Sequence, residues 1–269
     1  MEFRILGPLE VVSDGQPLRI EGRGQRVVLC ALLTVANDVA SLDRLIDWLW
    51  SRRPPRSAAA VVQAHISRLR RILEPNRAPW SPSRILVRHS PGYMLRIDPE
   101  QLDSLRFARL VAEGRAAFER EDMAPASTIL HRATALWRGR ALADLAFVDA
   151  AQDEAARLEA TLLSATIMRI DADLELGRHA DLVPELEGLV RAHPLNERLS
   201  GQLMIALCRC GRQADSLTVY ERVRSTLAEE LDIEPSPASQ WLQAAILSQH
   251  PDLDWSPAGR RLPVPGPWR

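Results

Sequence analysis

The sequence predicts a mostly α protein with a small β component: an N-terminal winged helix-turn-helix followed by an all-α, tetratricopeptide-like repeat domain. Three observations predict it. Residues 1–98 carry strand-like patterns, then three helical segments, then a hairpin pattern, the order of a winged helix-turn-helix. Beyond Asp103 the apolar spacing is helical throughout, and Gly177-Arg178-His179-Ala180 recurs 34 residues later as Gly211-Arg212-Gln213-Ala214. That spacing is the period of a tetratricopeptide helix-turn-helix unit. Charge divides in the same place: residues 1–98 hold 15 arginines against 9 acidic residues and the remainder 19 against 26, although the chain as a whole sums to −1. A basic domain joined to an acidic one suits a nucleic-acid binder that carries a protein-interaction module.

The first twenty residues alternate as short strands. Phe3 and Ile5 come first, then Leu9, Val11 and Val12 before the turn Ser13-Asp14-Gly15, then Leu18 and Ile20; together they predict a small antiparallel sheet. Gly22-Arg23-Gly24 leads into a helix over Gln25–Ala36 that is apolar enough to be the central helix of its domain. Arg23 and Arg26 at its start can touch a DNA phosphate, or simply end a solvated helix terminus. Asn37–Ser41 reads as a turn ending in an N-cap. Leu42–Trp50 then forms a second helix, with Leu42, Leu45, Ile46 and Leu49 on one face and Asp43 suited to the helix dipole. Trp48 and Trp50 on it are expected to pack rather than touch DNA.

Residues 54–73, PPRSAAAVVQAHISRLRRIL, are the third helix. Two prolines halt the chain, Ser57 offers an N-cap, and about four helical turns follow. Val62, Ile66, Leu69 and Leu73 fall on one narrow stripe that must be buried. The opposite arc carries Ala60, Gln63, Ala64, Ser67, Arg68 and Arg71. A helix with short side chains outward can lie deep in a major groove, with Gln, Ser and Arg reaching base edges and phosphates. Taken alone, an amphipathic helix with a solvated basic face fits as well; its surroundings favour the recognition helix. Between Arg52 and Arg88 stand nine arginines and a single acid, Glu74. After a loop with an exposed Trp80, residues 84–88 and 93–97 predict a hairpin around His89-Ser90-Pro91-Gly92, where Pro-Gly favours a type II turn. Ile85, Val87, Tyr93, Leu95 and Ile97 are expected on its buried face, with Arg84 or Arg88 and His89 near its tip. Such a hairpin is a wing, which tracks a backbone or enters a minor groove. His65, at the edge of the stripe, reads as structural.

The helical half is expected as segments 104–120, 123–138, 148–176, 179–192, 195–210, 212–230 and 237–249, an array whose concave face binds partners rather than doing chemistry. The expected domains are 1–98, 99–250 and a disordered tail over 251–269, which is rich in proline. Cys30, Cys208 and Cys210 read as buried free thiols. No nucleophile motif, phosphate-binding loop or metal-ligand spacing is found, so neither enzyme activity nor a cofactor is expected. With no signal-peptide pattern and no apolar run long enough for a bilayer, no membrane association is expected, and the reading is cytoplasmic and nucleoid-associated. The competing reading is a helical-repeat adaptor whose winged helix docks protein instead of DNA.

The order and wording of the chain resemble the Streptomyces antibiotic regulatory protein family of actinobacterial transcriptional activators. FRILGPLEV, GRGQRVVLCALL, LIDWLW, RPPRSAAAVVQAHISRLRRIL and SPGYMLRI carry the likeness in the first half. RFARLVAEGR, ALWRGRALADL and the long run from ELGRHADLVPELEGLV to LAEELDIEPSP carry it in the second, which resembles the bacterial transcriptional activation domain. The resemblance spans about residues 1–250. It implies a winged helix of the response-regulator output type that binds direct repeats in double-stranded DNA near the −35 region as a side-by-side homodimer. It also implies contact with RNA polymerase and its sigma factor, commonly at secondary-metabolite gene clusters. Carried onto this chain, it puts Gln63, Ser67, Arg68 and Arg71 in the groove, Arg26, Arg53 and Arg56 on phosphates, and Arg88 and His89 in the wing. Ala58-Ala59-Ala60 departs from the polar or larger residues common in the family and removes possible base contacts.

Overall fold

Apolar alternation at the N-terminus forms the strands it predicts. In this computed structural model, which describes residues 1–51, 53–78 and 80–255, β1 (Glu2–Arg4), β2 (Glu10–Ser13) and β3 (Gln16–Pro17) make an antiparallel sheet in that order, with Phe3 opposite Val11. Asp14 and Gly15, which join β2 to β3, both have positive φ, 52° and 77°, as a tight hairpin between right-twisted strands requires. The central helix, α1 (Arg23–Leu33), buries every residue from Val27 to Leu33. It starts two residues before the expected segment and stops three short of it. The helix-turn-helix follows as α2 (Leu42–Trp50) and α3 (Ala58–Leu73). Ser41 caps α2 by accepting the Arg44 amide at 3.1 Å, whereas Ser57 makes no side-chain cap bond to α3. Trp48 is packed at 3% exposure.

Residues 39–41, expected as a turn, form β4 (Val39–Ser41). It pairs with β6 (Gly92–Leu95), which pairs with β5 (Leu86–His89), so the wing is a three-stranded sheet in the order β4-β6-β5. A three-residue strand is too short to show a period of two. The hairpin differs from expectation in its turn and in which residues of its first strand are buried. Its loop is Ser90-Pro91, with His89 opposite Gly92, so Pro91 and Gly92 are not the two central residues that the expected type II turn needs. Leu86 therefore stands opposite Leu95 and is fully buried, while Ile85 and Val87 are only half-buried. Register decides the face of every side chain on a strand.

Backbone contacts group the chain differently from the sequence order of its segments. Its two compact units are Met1–Ala112 with Arg132–Leu163, and Glu113–His131 with Ser164 onward. The reason lies in the first unit's backbone hydrogen bonds. Asp103, at the start of α4 (Asp103–Glu119), is 5% exposed and accepts the amides of Ile5 at 2.8 Å and Leu6 at 3.0 Å. The amides of Arg138 and Leu142 donate to the carbonyls of Leu6 and Ile5, and Asp144 accepts the Leu9 amide at 2.8 Å. The chain leaving β1 is thus satisfied by groups more than ninety residues away, and a buried backbone group needs a partner wherever one is found.

The remaining helices are α5 (Met123–Thr134), α6 (Asp149–Glu175), α7 (His179–Ala192), α8 (Glu197–Arg209), α9 (Gln213–Leu231) and α10 (Pro237–Leu247). The recurring tetrapeptide has a structural cause. Gly177 and Gly211 occupy equivalent turns, α6–α7 and α8–α9, at φ of 79° and 75°, where a side chain is strained. Asp173, 1% exposed, organises the second unit by accepting from Ser127 (2.6 Å), His131 (2.9 Å), Arg169 (3.1 Å) and Arg178 (2.9 Å).

Cys30 is buried as expected, while Cys208 and Cys210 are only half-buried. The start of the expected disordered tail is docked: Leu253 is 3% exposed and its carbonyl accepts from Arg209, while the Trp255 indole donates to the Glu175 carbonyl at 3.0 Å. Residues 256–269, the rest of that tail, lie outside the described residues. Among the described residues no helix is long and apolar enough to cross a membrane.

Candidate nucleic-acid interface

The two arcs of α3 separate as its sequence requires. Val62, Ile66, Leu69 and Leu73 are all at or below 2% exposure, and Ala60, Gln63, Ala64, Ser67, Arg68 and Arg71 are all exposed. Arg53 and Arg56 are exposed in the segment leading into the helix, and Arg88 and His89 are exposed at the end of β5. Arg53, Arg56, Arg68, Arg71 and Arg88 pair with no carboxylate among the described residues. An uncompensated row of guanidiniums raises the local potential and suits phosphate or guanine recognition.

Three contacts fix the pose of this helix and its wing. At Gly24 a Cβ would lie 2.5 Å from the His65 ring, so the glycine makes room for that ring between α1 and α3. His65 is the structural residue expected, and burial, with Arg68 adding to it, pushes its pKa down and keeps the ring neutral. Arg70, half-buried, donates its Nε to the Leu86 carbonyl at 2.9 Å and holds its guanidinium 5.8 Å from the Tyr93 ring centroid. It ties the helix to the wing instead of facing outward. Glu74 accepts the Ser83 hydroxyl and the Arg84 amide. Burial alone would raise its pKa, but these bonds, with the Ile85 amide and Arg77, outweigh it and hold the carboxyl below its ordinary range.

Arg26 requires a correction. It does not join the outward set: its guanidinium is committed to Asp144, with Nε at 2.9 Å from the carboxylate and Nη2 donating to the Leu9 carbonyl at 3.2 Å. Asp144 lies 118 residues away in sequence, so local reading of the helix start had no means of finding it. Arg23, its neighbour, stacks over the Phe147 ring at 3.5 Å. In the sequence Arg70 is one arginine of a basic run and Glu74 its single acid, because their partners, Leu86 for the one and Ser83 and Arg84 for the other, come from beyond the helix.

A helix-turn-helix with an exposed cationic arc and a wing, in a chain that continues as a helical-repeat array, defines a transcription regulator. Comparison with known proteins agrees. Residues 15–95 match the family of transcriptional regulatory protein C-terminal domains, and residues 102–247 match the bacterial transcriptional activator domain. Regulatory protein DnrI of Streptomyces peucetius is 38% identical over 257 residues, which is 94% of each chain. Regulatory protein AfsR of Streptomyces coelicolor is 39% identical over 254 residues, 94% of this chain but 25% of its own. The solved structure of Mycobacterium tuberculosis EmbR in complex with a low affinity phosphopeptide superposes with a TM-score of 0.88 at 34% identity, covering 93% of this chain and 65% of that one. The chain belongs to the Streptomyces antibiotic regulatory protein family of transcriptional activators, which are regulators and not enzymes.

Proposed function

We propose that this regulator binds double-stranded DNA through the outer arc of α3. Gln63 and Arg68 would read base edges, Ser67 and Arg71 the groove wall, and Arg53 and Arg56 the phosphates beside it. Arg88 and His89 in the wing would follow the neighbouring backbone or minor groove. One observation carries the reading: Gln63, Ser67, Arg68 and Arg71 of α3 all lie on its exposed arc, with small Ala60 and Ala64 beside them to allow close approach. Two copies bind side by side on direct repeats near the −35 region, and the helical-repeat part contacts RNA polymerase and its sigma factor. Its targets are a secondary-metabolite gene cluster, and it acts in the cytoplasm on the nucleoid. The names and matches of the relatives support its role in transcription regulation.

A gel shift over promoter fragments, repeated at two salt concentrations, tests it. A preferred fragment, whose affinity falls steeply with salt, supports the proposal. Equal binding to a promoter and to random DNA removes it.

A further inference from the structure

Five helices of the second unit line a cavity of about 660 Å³, a size that encloses a whole small molecule. Its walls are largely apolar: Phe118 from α4, Met123 from α5, Ile167 and Met168 from α6, Ile205 from α8 and Trp241 from α10. The two methionines are unbranched and flexible, and such side chains yield to an incoming group.

Two features distinguish this cavity from a simple gap between repeats. On one wall stands Gln202, 3% exposed. Its amide nitrogen donates to the Ile167 carbonyl at 2.8 Å and to Asp171 at 2.6 Å, but its amide oxygen is buried and accepts nothing among the described residues. A buried acceptor with no partner is rare in folded proteins and calls for a donor. The second feature is charge. The lining holds four carboxylates, Glu119, Glu121, Asp171 and Glu175, and two guanidiniums, Arg115 and Arg198, a formal excess of two negative charges among the lining residues. Arg198 is already engaged by Asp171 at 2.6 Å. Burial pushes the Asp171 carboxyl up, against the opposing pull of Arg198 and Gln202, so an added positive charge would favour its ionised form.

We propose that this cavity is a binding site for an amphipathic organic cation, a small molecule with an aromatic or alicyclic body and a protonated amine. The body packs on the methionines and on the faces of Phe118 and Trp241, where a cation is also attracted to the rings. An N–H of the ligand satisfies Gln202, and its charge balances the acidic lining. The site does not depend on DNA recognition by α3.

Fluorescence anisotropy on the full chain without DNA tests this, with rhodamine 6G as the cationic probe and fluorescein as an anionic probe of the same ring system. Rhodamine 6G should saturate one site and fluorescein should bind at least about tenfold more weakly. Gly201→Leu, which fills the cavity from α8, should abolish binding, and Gln202→Leu should weaken it about tenfold. Trp241→Ala, at a half-buried position on α10, is the second variant where Gly201→Leu does not fold, as judged by circular dichroism; it should also weaken binding about tenfold. The proposal is overturned by non-saturable rhodamine 6G binding, by equal binding of fluorescein, or by folded Gln202→Leu and Trp241→Ala variants that bind as the wild type does.

Discussion

Gly92→Ala probes how the wing is joined to the helix-turn-helix. A Cβ at position 92 would lie 1.9 Å from the Ala40 carbonyl oxygen and 2.8 Å from the Ser41 Cα. Both are backbone atoms, so no side chain can rotate out of the way. Restoring ordinary contact requires β4 and β6 to separate by well over about 1 Å, which disrupts the pairing of residues 39–41 with 92–94. Overpacking of this kind costs about 1–3 kcal/mol, and losing two ladder hydrogen bonds costs about 1 kcal/mol each. The expected loss is therefore about 3–5 kcal/mol, read from the midpoint shift in urea unfolding at constant m-value. A loss below about 1 kcal/mol would refute the close β4–β6 approach, and with it the assignment of β4 as the strand that anchors the wing.

Three further outcomes follow from other contacts. Asp173→Asn removes the charge that Arg169, 4% exposed, faces in the interior, and should cost about 3–5 kcal/mol in thermal or denaturant unfolding. Arg26→Ala should lower stability but leave the salt dependence of DNA affinity unchanged, because its guanidinium is held by Asp144; Arg71→Ala should leave stability nearly unchanged and reduce the salt slope by about 0.9. The Glu74 carboxyl is held below its ordinary range in the folded state, so its contribution is present above the unfolded carboxyl range and is lost as pH falls through the folded value. The difference in Tm between wild type and Glu74→Gln should accordingly shrink between about pH 6 and pH 3.

Most of the fold was legible because its signals are local. The helical stripe of α3, the N-cap Ser41 and the tetrapeptide at Gly177 and Gly211 each depend on residues within a turn or two of one another. β4 was not legible, since three residues cannot display alternation and its partner β6 lies some fifty residues on. The hairpin itself was legible, but not the buried face of its first strand: Leu86, opposite Leu95, is buried in place of Ile85 and Val87, and three apolar residues in a row show no alternation to choose between the faces. At the candidate site, the outward arc of α3 could be drawn on a wheel. Arg26 and Arg70 could not be told from the arginines around them, because what removes them from the surface is Asp144 in one case and the Leu86 carbonyl in the other. The cavity beside Gln202 left no sequence trace, as its walls come from five separate helices.

The central claim is that the outer arc of α3 reads DNA. Its most direct measurement is selection of bound duplexes from a random-sequence pool, carried out in parallel with wild type and with Gln63→Ala and Arg68→Ala. Wild type should enrich a short motif that recurs as a direct repeat. Each variant should lose preference at one position of that motif, with a penalty of about 1–3 kcal/mol on the wild-type site. Enrichment of no motif, or of the same motif unchanged by both substitutions, would contradict the account.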